Sequence, residues 1–155
     1  MYIKSDYVEN LYVSQLKDAY SAEQQLVEAL PKMIEAASAT KLSEAFAEHL
    51  QETKDHVKRL EKIFKDLDYA PGGHRCKAME GLIKEAKEIL EESDDPRVRD
   101  AAIICAAQKV EHYEIATYGC LRAYAKLMKQ DEAAELIEET LQEEKNADGR
   151  LSELA

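Results

Sequence analysis

The residues best suited to chemistry in this 155-residue chain are acids that interrupt apolar lines. In Gln108–Tyr118, QKVEHYEIATY, Glu111 and Glu114 fall on the helical face that also carries Ile104, Ala107, Val110, Ile115, Tyr118 and Leu121. No Lys or Arg shares that part of the face. Two carboxylates turned toward a core are costly unless something cationic meets them. Taken alone, such a pair is best read as lying on the edge of the stripe and reaching water. Three more interruptions change that reading. Glu23 breaks the line Tyr12, Leu16, Tyr20, Val27, Leu30, Ile34. His49, Glu52 and His56 share one face at steps of three and four. Glu144 and Asp148, four apart, interrupt Ile137, Leu141 and Leu151, with Glu143 beside Glu144 as an alternative.

Carboxylates gathered with imidazoles point to metal binding. Two nearby divalent ions repel one another, and carboxylates neutralise and bridge them. Hard oxygen ligands with one or two imidazoles favour iron or manganese. His49 is expected either to be a ligand or to orient Glu52 from outside. Tyr20, Tyr113 and Tyr118 are expected near the site, as hydrogen-bonding groups or as ordinary core aromatics.

Positioning these residues takes long helices, and the sequence supplies them. With five Gly and three Pro the chain has few breaks. Ser5 is expected to cap a first helix running to about Ala37, with Pro31 kinking or loosening it. After Ser38–Lys41 a second helix is expected over Leu42–Leu67, returning antiparallel. YAPGGH at Tyr69–His74 ends it. A shorter amphipathic segment, Cys76 to about Glu92, reads as a crossover with a charged, solvated face. Asp95 as N-cap with Pro96 at the first helical position starts a third long helix, to about Lys129. Gly119 within it is expected to mark close helix packing. A fourth follows Asp131 and runs to about Leu154. The expected fold is all-α: a single domain over 1–155, a four-helix bundle of two antiparallel hairpins with a short extra helix in the crossover. Glu23 and Glu52 stand at similar distances from the turn between them, as do Glu114 and Glu144, so the acids should meet at one level.

Composition narrows the partners. The net charge is −11. That leaves no basic patch for nucleic acid or an anionic membrane surface, and suits a protein that attracts metal cations. No segment approaches the length of a membrane span, and the opening MYIKSDYVENLY has no apolar run and no cleavage motif, so no export signal is expected. Three cysteines without a C-x-x-C motif read as free thiols in a reducing, cytoplasmic setting. Cys105 and Cys120 are expected as small core residues, and Cys76 as a loop residue open to reaction.

YSAEQQLVEALPKM, FAEHLQET, CKAMEGLIKEA, RDAAIICAAQKVEHYEIATYG and ETLQEEKNAD resemble the YciE/YciF stress-protein family, a ferritin-like group, over nearly the whole chain. The resemblance implies a rubrerythrin-like bundle, usually dimeric, and an association with bacterial stress responses. Mapping the rubrerythrin ligand pattern onto this sequence suggests Glu23, Glu52, the Glu111/Glu114 pair and Glu144. Two positions depart from it. The His after Glu52 stands four residues on, at His56, with Asp55 in the three-after position. Asp148 stands four after Glu144, with Ala147 at three. The expected metal ligands are therefore Glu23, Glu52, His56, Glu111, Glu114, Glu144 and Asp148. Without a Cys-rich electron-transfer module, peroxide or dioxygen chemistry would need an external electron donor. The competing expectation is a non-enzymatic dimer with a weak or empty site, acting through protein contacts. Iron storage in a cage is weaker, because the sequence offers no assembly motif.

Overall fold

The computed structural model describes residues 5–92 and 94–155, with side chains at all of these except 5, 6 and 92. The cap expected of the Ser5 side chain lies outside the described residues. Five helices carry the described chain: α1 (Ser5–Ala36), α2 (Thr40–Asp66), α3 (Lys77–Glu92), α4 (Pro96–Leu127) and α5 (Asp131–Leu154). α1 packs on α2 and α4 on α5, while α1 meets α4 and α2 meets α5; α3 lies against α4 and α1.

Local chemistry sets the ends. Asp95 takes an extended conformation and its side chain accepts from the Arg97 N–H, with Pro96 opening α4 behind it. No side chain caps the start of α2. Instead the preceding turn is tied across the molecule: Ser38 N–H and Ala39 N–H donate to the two oxygens of Asp100, each at 2.8 Å. α2 and α4 both end through a left-handed residue, Asp68 (φ 58°) and Lys129 (φ 56°). In each case the next N–H reaches back, Tyr69 to the Phe64 carbonyl and Gln130 to the Ala125 carbonyl. Glycine usually fills that position, because a Cβ is strained there.

The buried line of α2 is Leu42, Phe46, His49, Thr53, His56, Leu60, Ile63, alternating steps of four and three. On α1 the same rhythm runs Tyr12, Leu16, Ala19, Glu23, Leu26, Leu30. Leu26 therefore takes the core place expected of Val27, which is only half-buried; stepping four from Glu23 overshoots the face. Two apolar clusters result. One joins Leu16, Leu60, Phe64, Tyr118, Leu121 and Ile137, and the other joins Leu26, Leu30, Phe46, Ile103, Val110 and Leu151. Along each long helix a buried polar stretch separates them: Glu23, His49 to His56, Glu111 with Glu114, and Glu144. The apolar clusters keep water from that layer at both ends.

Two local expectations are corrected. Cys105 and Cys120 are exposed, whereas Cys76 is fully buried. The Cys76 N–H donates to Ser21 Oγ at 2.9 Å, its carbonyl accepts from Gln25 Nε2 at 3.0 Å, and its thiol lies 3.0 Å from Tyr113 Oη. Gly119 has open space where a Cβ would stand, so helix packing does not explain it. α1 is assigned as one helix through Pro31 to Ala36.

Candidate metal centre

Glu23 from α1, His49 and His56 from α2, Glu111 and Glu114 from α4, and Glu144 from α5 are all buried, and they face one another. His56 Nδ1 lies 3.2 Å from Glu23 Oε1 and 3.1 Å from Glu144 Oε1. His49 Nε2 lies 3.3 Å from Glu111 Oε1 and 3.7 Å from Glu144 Oε2. These are ion-pair distances without hydrogen-bond alignment. Glu23 Oε2, Glu111 Oε2, both oxygens of Glu114, both oxygens of Glu144, His49 Nε2 and His56 Nδ1 have no hydrogen-bond partner. Each unsatisfied buried polar atom costs on the order of 1–3 kcal/mol. A fold that concentrates them has built a place for a counter-charge.

Each imidazole is held from outside by a carboxylate. His49 Nδ1 meets Glu52 Oε2 at 3.3 Å, and His56 Nε2 meets Glu143 Oε2 at 2.8 Å. Arg59 grips Glu143 with both terminal nitrogens, Nη1 to Oε2 at 2.5 Å and Nη2 to Oε1 at 3.0 Å. Outer carboxylates of this kind fix the imidazole orientation and leave the other ring nitrogen for a metal. Thr53, between the two histidines, donates to the His49 carbonyl at 2.8 Å and adds no free donor atom to the layer. Tyr118 donates a short hydrogen bond to Glu23 Oε1.

The electrostatics are divided. Burial, reinforced by Glu144 and Glu23, holds the Glu111 and Glu114 carboxyls well above the usual carboxylate range. Burial acts the same way on Glu144, but contact with His56 and attraction to both imidazoles outweigh it and lower Glu144 to about 2. Burial opposes the charged form of His56; attraction to Glu23 and contacts with Glu143 and Glu144 overcome that and raise it to about 12. Glu143, despite partial burial, is lowered to about 2 by His56 and Arg59. A charged imidazole thus stands where an anionic centre needs a cation.

The donor atoms form two groups that share one residue. One atom each from His49, Glu111, Glu114 and Glu144 lie within 4.8 Å of one another, as do atoms from Glu23, His56 and Glu144. Glu144 is in both groups, so its carboxylate would be available to an ion held by either. Four carboxylates would balance two divalent cations, and the mixture of hard oxygens with two imidazoles suits iron or manganese. The residues present therefore fit such a centre.

Two expected ligands stand apart from this cluster. The Glu52 side chain is 42% exposed and faces the outer nitrogen of His49. Asp148 is half-buried, accepting from Gln108 Nε2 at 3.2 Å and lying 3.3 Å from His112 Nε2. The alternative in which His49 orients Glu52 is inverted in the geometry, where Glu52 orients His49. Of the three tyrosines expected near the site, Tyr118 is the one hydrogen-bonded to the cluster. Tyr20 donates to Glu61 at 3.1 Å, and Tyr113 donates to Asp18 at 2.6 Å. Sequence spacing passed over Arg59, although it stands three residues after His56 and is placed to support that face.

A family model described as "Domain of unknown function (DUF892)" matches residues 7–155. The Escherichia coli (strain K12) protein YciF is 46% identical over 149 residues, 96% of this chain and 90% of that protein. The chain belongs to the DUF892 family and is a relative of YciF. The crystal structure of the E. coli stress protein YciF superposes on this family member with a TM-score of 0.92 at 45% identity, covering 98% of this chain and 95% of that one. YcfI, described as a putative structural protein from Rhodopseudomonas palustris, gives 0.93 at 44% identity and 99% coverage of both. A two-domain protein from Anabaena variabilis, with DJ-1/ThiJ/PfpI-like and ferritin-like domains, gives 0.60 at 20% identity over 92% of this chain and 35% of that one. This YciF relative thus has an all-α, ferritin-like fold. No described helix of it is long and apolar enough to cross a membrane.

Proposed function

We propose that this YciF relative is a cytoplasmic stress-response protein, a four-helix bundle of two antiparallel hairpins, whose core holds two iron or manganese ions. The observation carrying this reading is the set of eight partnerless donor atoms on Glu23, His49, His56, Glu111, Glu114 and Glu144. Protons or cations are what neutralise that many buried acidic oxygens.

His49, Glu111 and Glu114 would hold one ion, Glu23 and His56 the other, and Glu144 would bridge them. Bound iron or manganese would supply redox chemistry toward peroxide or dioxygen, with an external electron donor. Glu52 and Glu143 keep the imidazoles turned inward. Tyr118 Oη holds a proton on Glu23 Oε1 and can follow that carboxylate as its charge changes. The apolar clusters above and below exclude bulk water. Homodimerisation, as the family resemblance implies, would cover part of the apolar surface exposed at Tyr7, Leu11, Val98 and Leu127. The stress role follows the description of the E. coli relative.

Metal analysis after anaerobic addition of Fe(II) or Mn(II) tests the reading. Two ions per chain are expected. Fewer than about 0.2 per chain would overturn it in favour of a dimer acting through protein contacts alone.

A further inference from the structure

The buried centre is approached from the surface by an opening between α2 and α5 that has apolar side walls, among them Phe46 and Leu151, and a charged mouth. This cavity, about 100 Å³, has His49 and Glu111 on its inner wall and Glu48, Glu52, Asn146 and Arg150 toward solvent. Glu48 on α2 and Arg150 on α5 form an ion pair across it. Arg150 is also attracted by Glu52 and Glu44. At the inner end, His49 Nε2 and Glu111 Oε2 are buried and have no hydrogen-bond partner. A second cavity reaches the same two residues between α1, α3 and α4, but its walls are side chains such as Leu26, Met33, Phe46, Ile83 and Leu90. A hydrated cation shedding water there would find no replacement ligands, which makes that route costly.

We propose that the α2–α5 opening is the loading gate for a divalent cation, with Arg150 as a movable plug. Resting on the two-ion reading of the centre, the sequence of contacts is simple. The acids at the mouth concentrate the cation, which competes with Arg150 for Glu48. Arg150 swings into solvent, and the cation passes Glu52 to His49 Nε2 and Glu111 Oε2. Negative side chains at a narrow mouth raise the local cation concentration and the rate of association. Because neither Glu48 nor Arg150 belongs to the two groups of donor atoms, changing them alters the rate of loading and leaves the final occupancy intact.

The test is stopped-flow loading of the full chain with Co(II), read by its visible absorbance, with equilibrium stoichiometry measured separately. Arg150→Gln unplugs the mouth and should speed loading about threefold, while Glu48→Gln leaves an unpaired guanidinium there and should slow it by a similar factor. Lys84→Gln and Glu85→Gln make the same charge changes on α3, away from both cavities that reach the centre, and should load at the wild-type rate. Both effects should shrink at high salt. If the Glu48 and Arg150 variants load like wild type, or the distant controls shift as much, the gate is wrong while the centre stands. Wild-type protein that takes up no Co(II) at equilibrium would overturn the two-ion reading, and the gate with it.

Discussion

His49 and Glu52 lie three residues apart on α2 with their side chains in contact at 3.3 Å, the imidazole buried and the carboxylate partly exposed. The imidazole is buried with Nε2 directed at Glu111 and Glu144, and Glu52 meets its Nδ1 from the solvent side. The carboxylate acts on the centre through the histidine.

This relationship separates two classes of substitution. Glu52→Gln should keep two ions per chain while weakening their binding by about 10- to 100-fold, the usual cost of losing an outer partner. Glu114→Ala removes two donor oxygens from the cluster itself and should lower the stoichiometry. Calorimetric titration with Mn(II) under anaerobic conditions distinguishes the two. Equal loss of stoichiometry in both variants would make Glu52 a direct ligand.

Metal-free protein should be most stable in mildly acid solution. Glu111 and Glu114 have folded values raised above the ordinary 4.5, so their contribution is fully present below 4.5 and is lost as pH rises through the raised values. His56, raised from 6.5 to about 12, contributes fully below 6.5 and loses that contribution progressively as pH rises from 6.5 toward 12. Glu143 and Glu144, lowered from 4.5 to about 2, contribute above 4.5 and lose it as pH falls toward 2. The melting temperature of apo-protein should therefore peak near pH 5 and decline toward pH 8. Mn(II) should raise it most at the upper end, because metal and protons compete for the same oxygens. A melting temperature that climbs steadily from pH 5 to 8 without metal would contradict this arrangement.

The cysteines should divide by burial. Cys105 and Cys120 are exposed and should react promptly with a thiol reagent in native protein. Cys76 is enclosed, and burial raises its thiol above the ordinary value, which suppresses the reactive thiolate. Two thiols per chain should titrate before denaturant is added and the third only after. Rapid reaction of all three would mean that the Cys76 contacts with Ser21, Gln25 and Tyr113 are not maintained.

Lys129 is the left-handed residue between α4 and α5. Lys129→Gly should relieve the strain of a Cβ at that position and stabilise the fold by about 1 kcal/mol. In a chain of this size that corresponds to a rise in melting temperature of about 2–4 °C. The same substitution at the exposed Lys54, in the interior of α2, should be destabilising instead, because glycine in a helix interior costs about 1 kcal/mol. No gain at Lys129 would show that the turn accommodates its side chain without strain.

Local signals in the sequence determined the helices. Asp95-Pro96 starts α4 because capping depends on neighbours along the chain, and the period of Leu42, Phe46 and Leu60 requires a buried face whatever that face meets. The same period brings Glu23, His49, His56, Glu111, Glu114 and Glu144 inward. Periodicity resolves a helical face only to about one residue, since each step turns about 100°. That is why Val27 stood in for Leu26, and why Glu52 was placed beside His56 where the interior receives His49. Whether a small residue such as Cys105 or Cys120 is buried depends on which neighbouring helix covers it, and helical periodicity does not contain that information. Cys76, outside any helix in the sequence pattern, is enclosed by α1 and α4 from far along the chain. The pairing of Arg59 with Glu143, and of Glu143 with His56, likewise exists only once α2 and α5 lie side by side. Long-range contact decides which carboxylate faces the interior and which holds a histidine in place, because both are glutamates on helices and differ only in what stands opposite.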